Sequence, residues 1–318
     1  MKLSFDTIKS VTVGALSITE RDDGVHFRKC TQKQLDAWLA FSKALCDNAS
    51  ATTGIRLDLH TNSRTFKFTA PVGNKFEIYV NDALTYYFPA SALVDHSASI
   101  ELDGQDNRIT LVFPCHGAPT VLSSVEVDDG AEVRPHKFDK KLLFIGDSIT
   151  QGWDSGYDSL SYAYRTSRFF NADSVIQGVG GGFFHETIFD EDIDYEPDAI
   201  IVAFGTNDWG RCPSLDELLD NMTKFLKKVK SRYTDRPIIC LSPIWRDVSA
   251  NPVRASGRFD DVCEAIKDTA RQNGATVIDG YTLAPHHPDF FMDKTTHPSG
   301  LGYGVYAENL IKQIKDYI

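Results

Sequence analysis

A chain of 318 residues, 42% hydrophobic and 24% charged, has enough apolar material for two ordinary domains and no disordered or fibrous bias. Its formal net charge of -11 disfavours nucleic acid and anionic membrane surfaces as partners, because they carry the same sign. No apolar run is long enough to span a bilayer. Residues 11–18, broken by Thr12 and Ser17, make a poor signal peptide, so a cytoplasmic location is expected.

Six cysteines (Cys30, Cys46, Cys115, Cys212, Cys240 and Cys263) are scattered without CxxC spacing and read as small core residues in a reducing compartment. Residues 11–133 read mostly as short strands. Val11-Thr12-Val13 and Val25-His26-Phe27 flank a charged segment whose Asp23-Gly24 is a hairpin signal. Further strands are predicted at 55–60, 65–69, 75–80, 85–88, 97–102, 108–113 and 120–127. Alternation in Ile55-Arg56-Leu57-Asp58-Leu59-His60 and regular turn residues point to a β-sandwich or jelly roll. One helix, 31–46 with Thr31 as N-cap, interrupts them and is broken by 48–54. The charged stretch 128–139, with Gly130 and Pro135, is the linker candidate. It divides an accessory domain, 1–136, from a second domain, 137–318.

From Lys140 onward the pattern becomes strands alternating with helices. Strands are expected at 142–145, 174–177, 198–204, 237–241 and 275–278; helices at 159–170, 214–232, 257–272 and 301–317. Such alternation implies an α/β domain whose parallel sheet is covered on both faces.

Four motifs fall after these strands. The first is Gly146-Asp147-Ser148, where the pair could merely cap the next helix. The second, Gly178-Val179-Gly180-Gly181-Gly182, fails as a dinucleotide fingerprint because Phe183 stands where the third glycine belongs. The third is Gly205-Thr206-Asn207-Asp208, whose asparagine amide can donate to a developing oxyanion or close an Asx-turn. The fourth is Asp293-Lys294-Thr295-Thr296-His297-Pro298, with His297 a natural general base.

In this order the blocks resemble those of the SGNH, or GDSL, hydrolase superfamily. The resemblance implies a three-layer, flavodoxin-like domain with Ser148 as nucleophile, His297 as base and Asp293 as its orienting acid. It implies an oxyanion hole from the N–H groups of Ser148 and Gly181 and the side chain of Asn207, with Gly180 as the register alternative. Two departures stand out. The asparagine usual before the glycines is missing, with Ile176 and Gln177 in that neighbourhood. The usual Asp-x-x-His is Asp-x-x-x-His here, with Lys294 at the acid's place. Support for His297 could therefore come from Asp293 through a one-residue bulge, from Asp289, or from a main-chain carbonyl. Asp293 is preferred.

The two-domain layout resembles carbohydrate acetyl esterases that carry an N-terminal β-sandwich. Trp153, Trp209 and Trp245 follow the blocks closely and are candidate platforms for sugar rings. His185 is placed equally well as a substrate contact or at a helix start, and His286-His287 reads as a solvated turn. The expected function is hydrolysis of small acyl esters, acetyl foremost, on oligosaccharides, with no metal or organic cofactor. A thioesterase, a lysophospholipase or an inactive carbohydrate-binding protein are the alternatives. A small-molecule or oligosaccharide ester is the expected partner, and a homo-oligomer is compatible with the sequence.

Overall fold

The computed structural model describes residues 1–318. Lys140–Gly146 (β1), Ala172–Gly178 (β2), Ala199–Ala203 (β3), Ile238–Leu241 (β4) and Thr276–Ile278 (β5) form one parallel sheet, in the order β2-β1-β3-β4-β5. Strand β1 explains why its sequence is continuously apolar. Leu143 and Ile145 enter the core on one face of the sheet, Leu142 and Phe144 the core on the other. Gly146 pairs with Gly178 on one side and Ala203 on the other, so three strands end level at the carboxyl edge. All four motifs leave from this edge or fold back over it.

The N-terminal part is an antiparallel β-sandwich. Its larger sheet joins Arg56–Thr61, Asn107–Val112, Lys75–Val80 and Ala83–Pro89, and smaller sheets close over the other face. Phe66, Phe68, Phe76, Ile78 and Leu111 meet between them with no exposed surface. Several details differ from expectation. The first hairpin joins Ser17–Arg21 to Gly24–Arg28, whereas Thr12–Val13 pairs with Leu57 and Arg56. The expected strand 120–127 is split into Val121–Leu122 and Ser124–Val127. Within the expected linker, Val133–Pro135 pairs with Arg56–Thr61, and both Asp128 carboxylate oxygens are bonded at Arg64 and Thr65.

The expected helix 31–46 is two helices, Gln32–Phe41 (α1) and Lys43–Ser50 (α2). Ser42 between them is extended (φ -169°, ψ 154°); it ends α1, and its hydroxyl accepts from Leu45 N–H to cap α2. These helices pack on the sheet domain, where Leu35, Trp38, Leu45 and Ala49 share a core with Val179, Phe183 and Phe204. Gln34 and Gln177 exchange amide hydrogen bonds in that buried contact. The sandwich also reaches across with Glu77, which accepts the N–H groups of Asp158 and Ser159, and with Lys75, 2.9 Å from Asp158.

Tight packing at the edge generates a prediction. A Cβ on Gly178 would lie 2.2 Å from the Gln151 nitrogen and 2.5 Å from its Cα, backbone atoms of the turn carrying Ser148. Gly178→Ala should therefore cost about 3 kcal/mol. A thermal melt checks this, and an unchanged melting temperature would contradict it.

Candidate active site

After β1 the chain turns sharply into a one-turn helix, Ser148–Gln151 (α3). Asp147 caps it, its carboxylate accepting from the Ile149 N–H at 2.9 Å, and Gly152 ends it in the left-handed region at φ +93°. The capping role read for this pair thus belongs to Asp147 and leaves the Ser148 hydroxyl free for other work. Burial pushes the Asp147 carboxyl up to about 7, against the pull of that N–H.

His297 comes from the other end of the domain and meets it. Ser148 Oγ lies 2.9 Å from His297 Nε2, and His297 Nδ1 lies 2.8 Å from Asp293 Oδ2. The one-residue-longer spacing is accommodated by Lys294, which sits in the left-handed region at φ +64°. The segment closes on itself as a hairpin, with Phe291 bridged to Pro298 and Met292 N–H donating to His297 O. Asp293 Oδ1 accepts three N–H groups, from Thr296, Thr295 and His297, at 2.7, 2.9 and 3.1 Å. Partial burial pushes this carboxyl up, but those donors and the imidazole outweigh it and hold it at about 2. A carboxylate so held only accepts, so the Nδ1 position carries the proton and Nε2 turns a lone pair to the serine. Asp289 lies apart, pairing with Lys294 at 3.2 Å.

The candidate oxyanion donors lie in the loops after the next two strands. In the glycine loop, Gly180 N–H donates to Gln151 Oε1 at 2.6 Å and Gly182 N–H to Val179 O at 2.8 Å. Gly181, at φ +78°, keeps its N–H unclaimed between them. Asn207 donates one amide hydrogen to Gly182 O at 2.9 Å, and an amide has two. Asp208 locks the two loops together: its oxygens accept the N–H groups of Phe184 and Gly205, both at 2.9 Å, within full burial. Burial raises its carboxyl to about 6.

Ser148, Gly181, Asn207 and His297 open into a cleft of about 670 Å³, which Trp153 also lines as its one hydrophobic residue. The Trp153 ring lies 6.0 Å from the His297 ring. The other two tryptophans correct expectation. Trp209 is 1% exposed, held in the core by Phe259 and by a hydrogen bond from its ring N–H to Gly257 O. Trp245 stacks on His286 and packs at a tilt against Phe291, and it does not line the cleft. His185 caps a short turn through Thr187 N–H and touches Phe41.

Sequence reasoning missed five residues here. Gln151 joins the serine turn to the glycine loop through Gly180 and to the sandwich through Cys115 O. Asn48, from α2, donates to Gly180 O at 2.9 Å. Arg211, Arg246 and Arg254 line the cleft. Gln151 lies three residues past the motif serine, whereas Asn48 comes from the N-terminal part and the arginines from a short helix end, a loop and a two-residue strand, with no local signal. A larger groove of about 1120 Å³, lined by Tyr79, Arg165 and Lys312 among others, contains none of the motif residues.

Two groups of three potential metal ligands occur. Cys115, His116 and Asp158 lie beneath Trp153, where Asp158 already accepts from Cys115 Sγ at 2.7 Å and pairs with Lys75. Asp154, Asp293 and His297 form the other, with Asp293 committed to the imidazole.

Residues 144–305 match the GDSL-like lipase/acylhydrolase family over just over half of the chain, and the chain belongs to that family. No curated protein sequence matches it significantly. Among solved structures it is similar to the salicylyl-acyltransferase SsfX3 from a tetracycline biosynthetic pathway (18% identity, 96% of this chain and 94% of that chain, TM-score 0.79). It is also similar to a family two carbohydrate esterase from Cellvibrio japonicus (16%, 100% and 97%, TM-score 0.66). A third is the acetyl xylan esterase Est2A from the rumen bacterium Butyrivibrio proteoclasticus (15%, 99% and 98%, TM-score 0.65). At these identities the likeness is one of fold, an α/β sheet domain preceded by a β-sandwich. No helix is long and apolar enough to cross a membrane.

The Asp293 loop generates two predictions. A lysine at φ +64° is strained by roughly 1 kcal/mol, so Lys294→Gly should keep the His297–Asp293 contact at little cost in stability. Lys294→Val, with a β-branched side chain, should destabilise by about 1–2 kcal/mol. Equal melting temperatures for the two variants would contradict the bulge. Because Asp293 is depressed from 3.8 to about 2, its contribution to stability is complete above the unfolded value and lost as pH falls through the folded one. Denaturant melts of wild type and Asp293→Asn should converge as pH drops from about 5 to about 2. A constant gap would contradict the assignment.

Proposed function

We propose that this protein is a serine carboxylic ester hydrolase acting on small acyl esters, acetyl foremost, of oligosaccharides, through a Ser148-His297-Asp293 triad. The carrying observation is the unbroken hydrogen-bond chain, 2.9 Å from Ser148 to His297 and 2.8 Å from His297 to Asp293, opening on a cleft. Ser148 attacks the ester carbonyl while Nε2 of His297 takes its proton. Asp293 stays ionised and holds the imidazolium that forms. The N–H groups of Ser148 and Gly181 and the spare amide hydrogen of Asn207 stabilise the oxyanion. His297 then returns the proton to the departing alcohol and later draws one from the water that cleaves the acyl-serine ester. These steps use no metal or organic cofactor.

Within this reading, residues 137–318 are the catalytic domain. Residues 1–136 are an accessory domain that supplies support and, through Asn48, part of one wall. The names of two structural neighbours, an acetyl xylan esterase and a carbohydrate esterase, favour an acetylated sugar, as does Trp153 beside the imidazole. A cleft with one hydrophobic lining residue, Trp153, suits a short acyl group and disfavours the long chain of a lysophospholipase.

Acetate release from acetylated xylo- and manno-oligosaccharides tests the proposal. Ser148→Ala should lower kcat/KM by at least about 10³-fold, and Asn207→Ala by about 10²- to 10³-fold. Undiminished turnover in Ser148→Ala would overturn it, and activity confined to acyl-thioesters would move the assignment to a thioesterase.

A further inference from the structure

We propose that the cleft selects esters carrying a negative charge close to the scissile bond, on the acyl or the alcohol side, and that Arg211, Arg246 and Arg254 confer that selection. This rests on the esterase reading and names its substrate class.

The three guanidiniums reach the cleft from separate places. Arg211 ends the short helix after Asn207, Arg246 follows β4, and Arg254 lies in the small hairpin Val253–Arg254/Gly257–Arg258 before the helix Phe259–Gln272. None makes an ion pair or a side-chain hydrogen bond within the chain, although acidic residues outnumber basic ones 44 to 33. Arginines elsewhere do find acids: Arg56 and Arg108 share Asp58, and Arg134 takes Asp106. Nε of Arg246 is buried with no partner at all.

Aromatic rings hold these cations in place. Arg254 lies 4.3 Å and Arg246 5.5 Å from the Trp209 ring centroid, and Arg211 lies 4.1 Å from that of Phe183. The buried tryptophan thus serves the cleft indirectly, as the platform for two arginines. Gly210 leaves room for one of them, since a Cβ there would come 2.1 Å from Arg254 Nη1. No nearby acid is directly paired with the cluster, although the charges of Asp293 and Asp147 act on Arg246 from a distance. Asp293 is engaged by His297 and three N–H groups, Asp147 caps α3, and Asp154 stands 3.8 Å from His297 Nδ1. Arg254 and Arg246 repel one another and no carboxylate pairs with either, and a bound carboxylate, sulfate or phosphate relieves this through planar two-point hydrogen bonds.

Two matched substrate pairs test the charge at each side of the ester. 4-Nitrophenyl succinate against 4-nitrophenyl butyrate places it on the acyl group. Acetylated galacturonate oligomers against acetylated xylo-oligomers place it on the alcohol. At low salt, wild type should prefer the charged member of at least one pair by about tenfold or more in kcat/KM, and added NaCl should shrink the preference. The Arg211→Ala/Arg254→Ala variant, altered at exposed side chains, should reduce that charged-to-neutral ratio by at least about tenfold. Turnover of the neutral esters with no preference in either pair overturns the inference. Turnover of none of them by wild type defeats the esterase reading instead. Calorimetric titration of both pairs into Ser148→Ala then decides the charge question: tighter binding of the charged member of either pair supports it, equal binding within both overturns it.

Discussion

The candidate site depends on one contact, the 2.9 Å approach of Ser148 Oγ to His297 Nε2 across 149 residues of chain. A hydroxyl and an imidazole in water do not stay at that distance. Here each is fixed by its own loop, and both loops are anchored to the same sheet edge. The serine turn is capped by Asp147 and joined through Gln151 to the glycine loop. The histidine hairpin is drawn onto Asp293, whose second oxygen collects three N–H groups. In the proposed reaction, orientation entropy is therefore spent when the protein folds, leaving little to be spent on each encounter with a substrate.

Buried acids share this work in different states. Asp293 gathers enough donors to stay ionised, whereas Asp147 and Asp208, fully buried with fewer donors, are pushed upward. The same residue type thus orients an imidazole at Asp293, caps a turn at Asp147 and ties two loops together at Asp208. The β-sandwich belongs to the same construction. Its helices α1 and α2 complete a core beside the sheet, and Asn48 reaches the loop that presents Gly181.

Much of the fold was legible because local patterns agree with tertiary demand. The apolar run of β1 is buried on both faces, and the long helix Leu215–Arg232 falls within the expected 214–232, with Ser214 as its cap. What escaped depends on distant partners. Ser42 divides a helix that reads as continuous. Val11-Thr12-Val13 leaves its apparent hairpin for a strand more than forty residues away. At the site, Ser148, Gly181, Asn207 and His297 stand out by motif, and the geometry of Asp293 turns on a lysine at positive φ that no spacing rule announces. Trp209 shows the limit of reading a tryptophan beside a motif as substrate-facing: burial sent it inward, and the arginines it carries have no sequence signature at all.

The central claim is that Ser148 becomes a transient acyl carrier. Rapid acid quenching after mixing with 4-nitrophenyl acetate, followed by mass mapping of the peptides, tests it most directly. The account predicts one acetyl group on the peptide containing Ser148, accumulating faster than free acetate and absent from Ser148→Ala. Steady turnover with no acylated peptide, or an acetyl group reproducibly on another residue, would contradict it.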